Sequence, residues 1–161
     1  LLEKSTSAAI GPFEMGTDGS GFRDLMVATG GARTSNTDRT VSCNLSMNGS
    51  KVFMFTMDMV PKCVTALLEK SKKTIDDIDL FVFHQASKLV MDNIIRRLEL
   101  PEEKVFSNLE RVGNTVSASI PIALKDAAEA KRLKEGDQIM LLGFGVGYSW
   151  GGCIIQWGKK I

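Results

Sequence analysis

The run Asp79-Leu80-Phe81-Val82-Phe83 constrains this chain more than any other segment. In an extended strand successive side chains point to opposite faces, so an unbroken apolar run needs cover on both of them. A strand over 79–83 therefore sits inside a sheet with packing above and below it. The chain around it supplies suitable covers. A helix after the Asn48-Gly49 turn, with Ser50 as its N-cap, carries Val52, Phe55, Met59, Val60, Cys63, Val64, Leu67 and Leu68 at helical spacing. Pro61 lacks an N–H and clashes with the preceding turn, so it is expected to kink or split that helix. Thr74-Ile75-Asp76-Asp77 reads as a single capped turn.

A second helix is expected over 87–99, with Val90, Met91, Ile94, Ile95 and Leu98 inward and an Asp92–Arg96 pair outward. A third starts near 117–121 and runs to Leu133, with Ile120, Ala123, Leu124, Ala127 and Ala128 inward. Strand patterns lie at 41–47, at Val105-Phe106, at 138–142 and at 150–157; a glycine loop spans 143–147. Residues 1–40 read as a loop-rich lead-in, punctuated by glycine, and 41–161 as the α/β core of one domain. Strands alternating with helices give an α/β class with a mixed sheet, its last two strands joined as an antiparallel hairpin.

Composition narrows the function. Twenty basic residues stand against 19 acidic ones in 161, so net charge gives no support to nucleic-acid binding. No apolar run approaches the roughly 20 residues of a membrane helix. The start, LLEKSTSAAIG, has neither the layout of a signal peptide nor an initiator methionine, which points to a piece of something longer. Cys43, Cys63 and Cys153 are odd in number and widely spaced. They read as reduced structural thiols of a cytoplasmic protein and suggest no metal site.

His84, the sole histidine, stands at the end of the 79–83 strand. In open α/β sheets the chemistry gathers at the carboxyl ends of strands. The next strand end leads to Asn114, in a Gly-Asn-Thr turn, and the one after to Gly145, Val146 and Gly147. An imidazole, a carboxamide and free backbone N–H groups together could stabilise an oxyanion or an enolate. Each has a plainer reading. A lone histidine is commonly structural, and asparagine favours turns for backbone reasons. The Gly143-x-Gly145-x-Gly147 spacing fails as a dinucleotide fingerprint, because Trp150 takes the last glycine position and a strand follows.

Several segments together resemble one family. HQAS after its apolar strand, RVGNTVSASIPIAL, GFGVGYSWGGCIIQW, MNGSKVFMFTM and GPFEMGTDGSG are similar, in order and spacing, to β-ketoacyl-acyl-carrier-protein synthase III, a thiolase-like condensing enzyme. The resemblance covers essentially the whole chain but only the C-terminal half of the family's two-half layered α/β fold. It implies an acyltransferase that joins an acyl-CoA to malonyl-acyl-carrier protein by decarboxylative Claisen condensation in fatty acid biosynthesis. His84 and Asn114 match the family's catalytic histidine and asparagine. Gly145, Val146 and Gly147 match its oxyanion loop; Met47, Gly49, Phe53 and Ser87 match positions of its substrate channel.

The resemblance further implies no cofactor beyond the coenzyme A thioester substrate, and no metal. Its implied partners are acyl carrier protein, acyl-CoA, the chain's own N-terminal half and a second copy in a homodimer, with neither nucleic acid nor membrane. The family's nucleophilic cysteine belongs to the N-terminal half, and none of the three cysteines here has a matching context. Lys88, Arg96, Arg97, Lys104 and Arg111 offer positive charge to an acidic carrier protein, although a solvated helix face of mixed charge reads equally well. A degenerate half serving only dimerisation or docking, and a thiolase-like enzyme of secondary metabolism, both stand as alternatives.

Overall fold

A computed structural model of the chain describes residues 8–31 and 43–158. The first described strand, β1 (Ile10–Thr17), lies inside the segment expected to be loop-rich. Alternating pattern is weak there, because Gly11, Pro12 and Gly16 interrupt it; pairing with a distant strand overrides local preference. After a short 3-10 turn come β2 (Leu25–Val27) and β3 (Leu45–Met47), which pair antiparallel as a separate two-stranded sheet. The strand expected over 41–47 is thus seen as β3, while residues 41 and 42 lie outside the described residues. Cys43 precedes β3 and is exposed, rather than lying in a strand.

Helix α1 (Gly49–Ser71) is capped by Asn48, whose side chain accepts from the Lys51 N–H at 3.2 Å; Ser50 lies within the helix instead. Pro61 does not split it. The buried stripe Phe55, Val60, Cys63, Val64 and Leu67 fixes both sides of the proline against the sheet, which outweighs one missing backbone bond. The Thr74–Asp77 turn forms as read: the Asp77 carboxylate accepts from the Thr74 N–H at 2.7 Å and from its hydroxyl at 2.9 Å.

Strand β4 (Leu80–Phe83) is buried at every position. Helix α2 (Lys88–Arg97) starts at Ser87, and a single parallel bridge, Phe81 to Val105, replaces the strand expected at 105–106. The short helix α3 (Leu109–Val112) leads into the Gly113-Asn114 turn. Helix α4 (Ser119–Glu129) follows and is shorter than the pattern suggested. Strand β5 (Gln138–Gly145) takes in Gly143 and Gly145 of the expected glycine loop, and β6 (Ser149–Gln156) returns antiparallel to it as the anticipated hairpin. The main sheet runs β1-β6-β5-β4, with β4 and β5 parallel and the other pairs antiparallel. Pairing of β1 with β6 changes register between Ile10 and Phe13.

Both faces of β4 are covered as the apolar run required. Phe81 and Phe83 join Val60, Val64 and Leu67 of α1 and Met91 and Ile94 of α2 in one core. Leu80 and Val82 join Ala123 and Ala127 of α4 and Ile139 of β5 in the other. A fully buried phenylalanine contributes about 1.5–3 kcal/mol, so Phe81 and Phe83 alone hold β4 firmly between its helices. On the outer face of α2, Lys88 rather than Arg96 pairs with Asp92, at 2.9 Å; Arg96 donates to the Asn93 side chain instead.

Glycines of the lead-in have a packing role. A Cβ on Gly16 would fall 2.2 Å from the Trp150 ring, and one on Gly21 would fall 2.1 Å from the Tyr148 ring. Tyr148 stacks on Phe55 at 4.1 Å between ring centres and donates to Asp24 at 2.8 Å. These contacts lock the lead-in onto the β5–β6 turn and onto α1.

Candidate active site

His84 is set by β4. Its backbone N–H donates to Leu142 at 2.8 Å, continuing the parallel ladder by one residue past the strand. The half-buried imidazole lies 2.7 Å from the Ser119 hydroxyl through Nδ1, and its ring meets Phe144 edge-on at 5.3 Å between centres. Burial lowers its pKa below the ordinary 6.5, while the Val116 carbonyl pulls in the opposite direction. The resting imidazole is therefore neutral at physiological pH.

Gln85 has its side chain wholly buried beside the site. Its Oε1 accepts from the Ser107 hydroxyl at 2.9 Å and from the Asn108 N–H at 3.0 Å; its Nε2 donates to Asn108 Oδ1 at 2.8 Å. Asn108 and Arg111 both donate to Asp126 on α4. The Asn108 contact is the main reason that this carboxylate titrates below its usual range. The loop carrying Asn114 is thereby tied to the residue after His84 and to α4.

Gly113 ends α3 at φ 67° and ψ −163°, a conformation open in practice only to glycine. It turns Asn114 back toward β4. Asn114 Oδ1 accepts from the Val116 N–H at 2.9 Å, and its Nδ2 reaches the Ala86 carbonyl at 3.3 Å. The donor end of the carboxamide thus faces the HQAS segment. Val116 adopts φ 54°, costly for a β-branched residue, and both its backbone groups are engaged, the N–H by Asn114 and the carbonyl by Ser119. One strained residue joins the supports of both candidate catalytic side chains.

The structure thus brings His84 and Asn114 to neighbouring positions. From the hairpin, Phe144 rather than the glycines reaches the imidazole. Gly145 pairs with Ser149 in the hairpin, Val146 is exposed, and Gly147 sits in the turn at φ 142°. The Ser149 hydroxyl braces that turn by donating to the Val146 carbonyl at 2.7 Å. Met47 is exposed on β3; Gly49 and the half-buried Phe53 lie in the first turns of α1. The Ser87 hydroxyl caps α2 through the Val90 N–H at 3.3 Å.

Among the described residues, no group of three or more histidine, cysteine or acidic side chains could hold a metal ion. Burial pushes the Cys63 thiol up to about 11 and raises that of Cys153, so neither is a thiolate near neutral pH. Sequence reasoning did not single out Ser119, Phe144 or Gln85. Gln85 had a signal, a carboxamide directly after a buried strand, where it needs internal partners.

The sequence profile described as 3-oxoacyl-[acyl-carrier-protein (ACP)] synthase III C terminal matches residues 68–157. The β-ketoacyl-[acyl-carrier-protein] synthase III of Natranaerobius thermophilus is 41% identical over 148 residues, 90% of this chain and 45% of that protein. Its counterpart in Synechocystis is 36% identical over 98% of this chain and 49% of its own length. Among solved structures, the Thermus thermophilus synthase III superposes with a TM-score of 0.87 at 36% identity over 99% of this chain and 50% of its own. A priming β-ketosynthase of the R1128 polyketide pathway gives 0.86 at 32% over 96% and 47%. The chain spans about half the length of the curated relatives it matches. With its mixed sheet, its two-sided cover of β4 and these likenesses, the chain belongs to the 3-oxoacyl-[acyl-carrier-protein] synthase III family and corresponds to the C-terminal half of that thiolase-like fold.

Proposed function

We propose that the chain is the C-terminal catalytic half of a condensing acyltransferase that joins an acyl-CoA to malonyl-acyl-carrier protein. The observation that carries this reading is that His84 and Asn114 share one support: Asn114 holds the Val116 N–H and turns its Nδ2 to the Ala86 carbonyl, while Ser119, on the Val116 carbonyl, meets the His84 imidazole. In the proposed reaction a cysteine of the family's N-terminal half is acylated by acyl-CoA. Malonyl thioester then loses its carboxylate as carbon dioxide, and the electron pair passes to the thioester as an enolate. The enolate carbon attacks the acyl carbonyl and expels the cysteine thiolate. His84 and Asn114 stabilise the oxygen on which the enolate charge develops, and the backbone of Gly145, Val146 and Gly147 serves the oxyanion of acyl transfer. Met47, Gly49 and Phe53 line the approach of the pantetheine arm, and Ser87 borders it.

In the same reading the enzyme works as a cytoplasmic homodimer without a bound cofactor. The whole of residues 1–161 forms the C-terminal domain. No helix among the described residues is long and apolar enough to cross a membrane. The carrier protein docks near α2 and the loop after it. There Lys88 and Arg111 spend part of their charge on Asp92 and Asp126, which leaves Arg96, Arg97 and Lys104 as the stronger attractors. Likeness to the polyketide priming synthase supports a second reading that differs only in pathway, starting polyketide rather than fatty-acid chains.

The test is His84→Ala in the complete reading frame. Loss of one aimed donor costs about 10²–10³ in rate, so malonyl decarboxylation is expected to fall by at least that much while acylation of the cysteine continues. Decarboxylation near the parent rate would overturn the role of His84.

A further inference from the structure

The Ser119 hydroxyl carries one proton and has two close partners. It lies 2.7 Å from His84 Nδ1 and 2.8 Å from the Val116 carbonyl oxygen. A carbonyl can only accept, so a contact of that length needs the serine proton between the two oxygens. Ser119 Oγ then has only lone pairs to offer Nδ1, and Nδ1 must be the donor. The opposite assignment gives the serine proton to Nδ1 and leaves two oxygens in contact with no hydrogen between them. Ser119 is almost wholly buried, so water is poorly placed to relieve that conflict.

We infer that Ser119 is a positioning residue that holds neutral His84 as its Nδ1–H tautomer, through a relay from Nδ1–H to the serine hydroxyl to the Val116 carbonyl. The relay is anchored where the backbone is least free. Val116 is held at φ 54° by the Asn114 carboxamide on its N–H and by Ser119 on its carbonyl. The ring has little room to turn, with Phe144 packed edge-on against it and the His84 backbone N–H tied to the Leu142 carbonyl. Nε2, the nitrogen not engaged by Ser119, therefore carries a lone pair. Nε2 becomes the donor that faces the enolate oxygen only after it has taken up a proton from solvent, while Nδ1 keeps its own throughout. This deepens the proposed function by assigning the order in which His84 acts, and it rests on that reading only for its meaning in catalysis.

His84 is the only histidine of the chain, so nitrogen NMR of the uniformly labelled 161-residue chain reports one imidazole, confirmed by loss of its signals in His84→Gln. Above the titration of the ring, the parent is expected to show a pyrrole-type Nδ1 and a pyridine-type Nε2. Ser119→Ala is expected to shift the pair toward the Nε2–H tautomer that free imidazole side chains favour in water. Ser119→Thr, which keeps the hydroxyl, is expected to restore the parent pattern. A pyridine-type Nδ1 in the parent, or a Ser119→Ala spectrum that matches it, would overturn the inference. The parent measurement decides the tautomer even if the alanine variant fails to fold. None of these readings depends on condensation, so a failure here is distinguishable from a failure of the proposed function.

Discussion

At His84 burial has a consequence for stability that is separate from chemistry. The folded imidazole titrates below 6.5, whereas in the unfolded chain it protonates at its ordinary value. As pH falls through 6.5 the unfolded state takes up a proton that the folded state still refuses, so stability declines until the folded pKa is passed. Urea unfolding is expected to give a lower free energy at about pH 5.5 than at about pH 7.5, with His84→Gln removing that part of the slope. Nearby, Val116 offers a contrasting test. The residue is 71% exposed, so little packing is lost by removing its side chain, and its positive φ suits glycine. Val116→Gly is expected to raise stability by up to about 1 kcal/mol in the same titration. A loss of stability would mean that Val116 is not strained as described.

Elements are where the sequence was most and least informative. Strand β4 was legible because four apolar residues in a row permit few other placements, and its helices followed from 3.6-residue spacing. Strand β1 was not, because Gly11, Pro12 and Gly16 argue locally for loop and only β6, far along the chain, supplies its partner. His84 and Asn114 could be picked out because polar groups at strand ends stand out from an apolar background. Ser119 could not, because a serine opening a helix reads as a capping residue, and only the fold shows that its hydroxyl turns to an imidazole. The anchoring of the Asn114 loop gives an element-scale prediction. Gln85→Leu removes the partners of the half-buried Asn108's N–H and Oδ1, at about 1–3 kcal/mol for each group orphaned, while the exposed Ser107 hydroxyl turns to water. Thermal unfolding is expected to show a lower midpoint, and hydrogen exchange to speed up first over residues 107–114. Gly21→Ala is expected to cost about 1–3 kcal/mol by overpacking against Tyr148; an unchanged midpoint would mean that the ring moves freely aside.

At the scale of the molecule, several large apolar side chains stand open to water. Leu45 and Met47 on β3, Met54 on α1, Leu89 on α2, Val116 and Val146 are all more than half exposed. Surfaces of this kind mark contacts with other protein. The 161-residue chain on its own is expected to bind an apolar dye and to associate with rising concentration in sedimentation. Co-expression with the N-terminal half of the family fold should abolish both, and dye binding that persisted would show that this half does not cover the surface. The sheet itself has a consequence in time. Strand β1 comes near the start of the described chain and β6 near its end, and each is incomplete without the other. On the ribosome β1 therefore waits, without β6, until the chain through β6 has been made. Pro12, with no N–H to offer, and the break in register between Ile10 and Phe13 make that waiting strand a poor template for a neighbouring nascent chain.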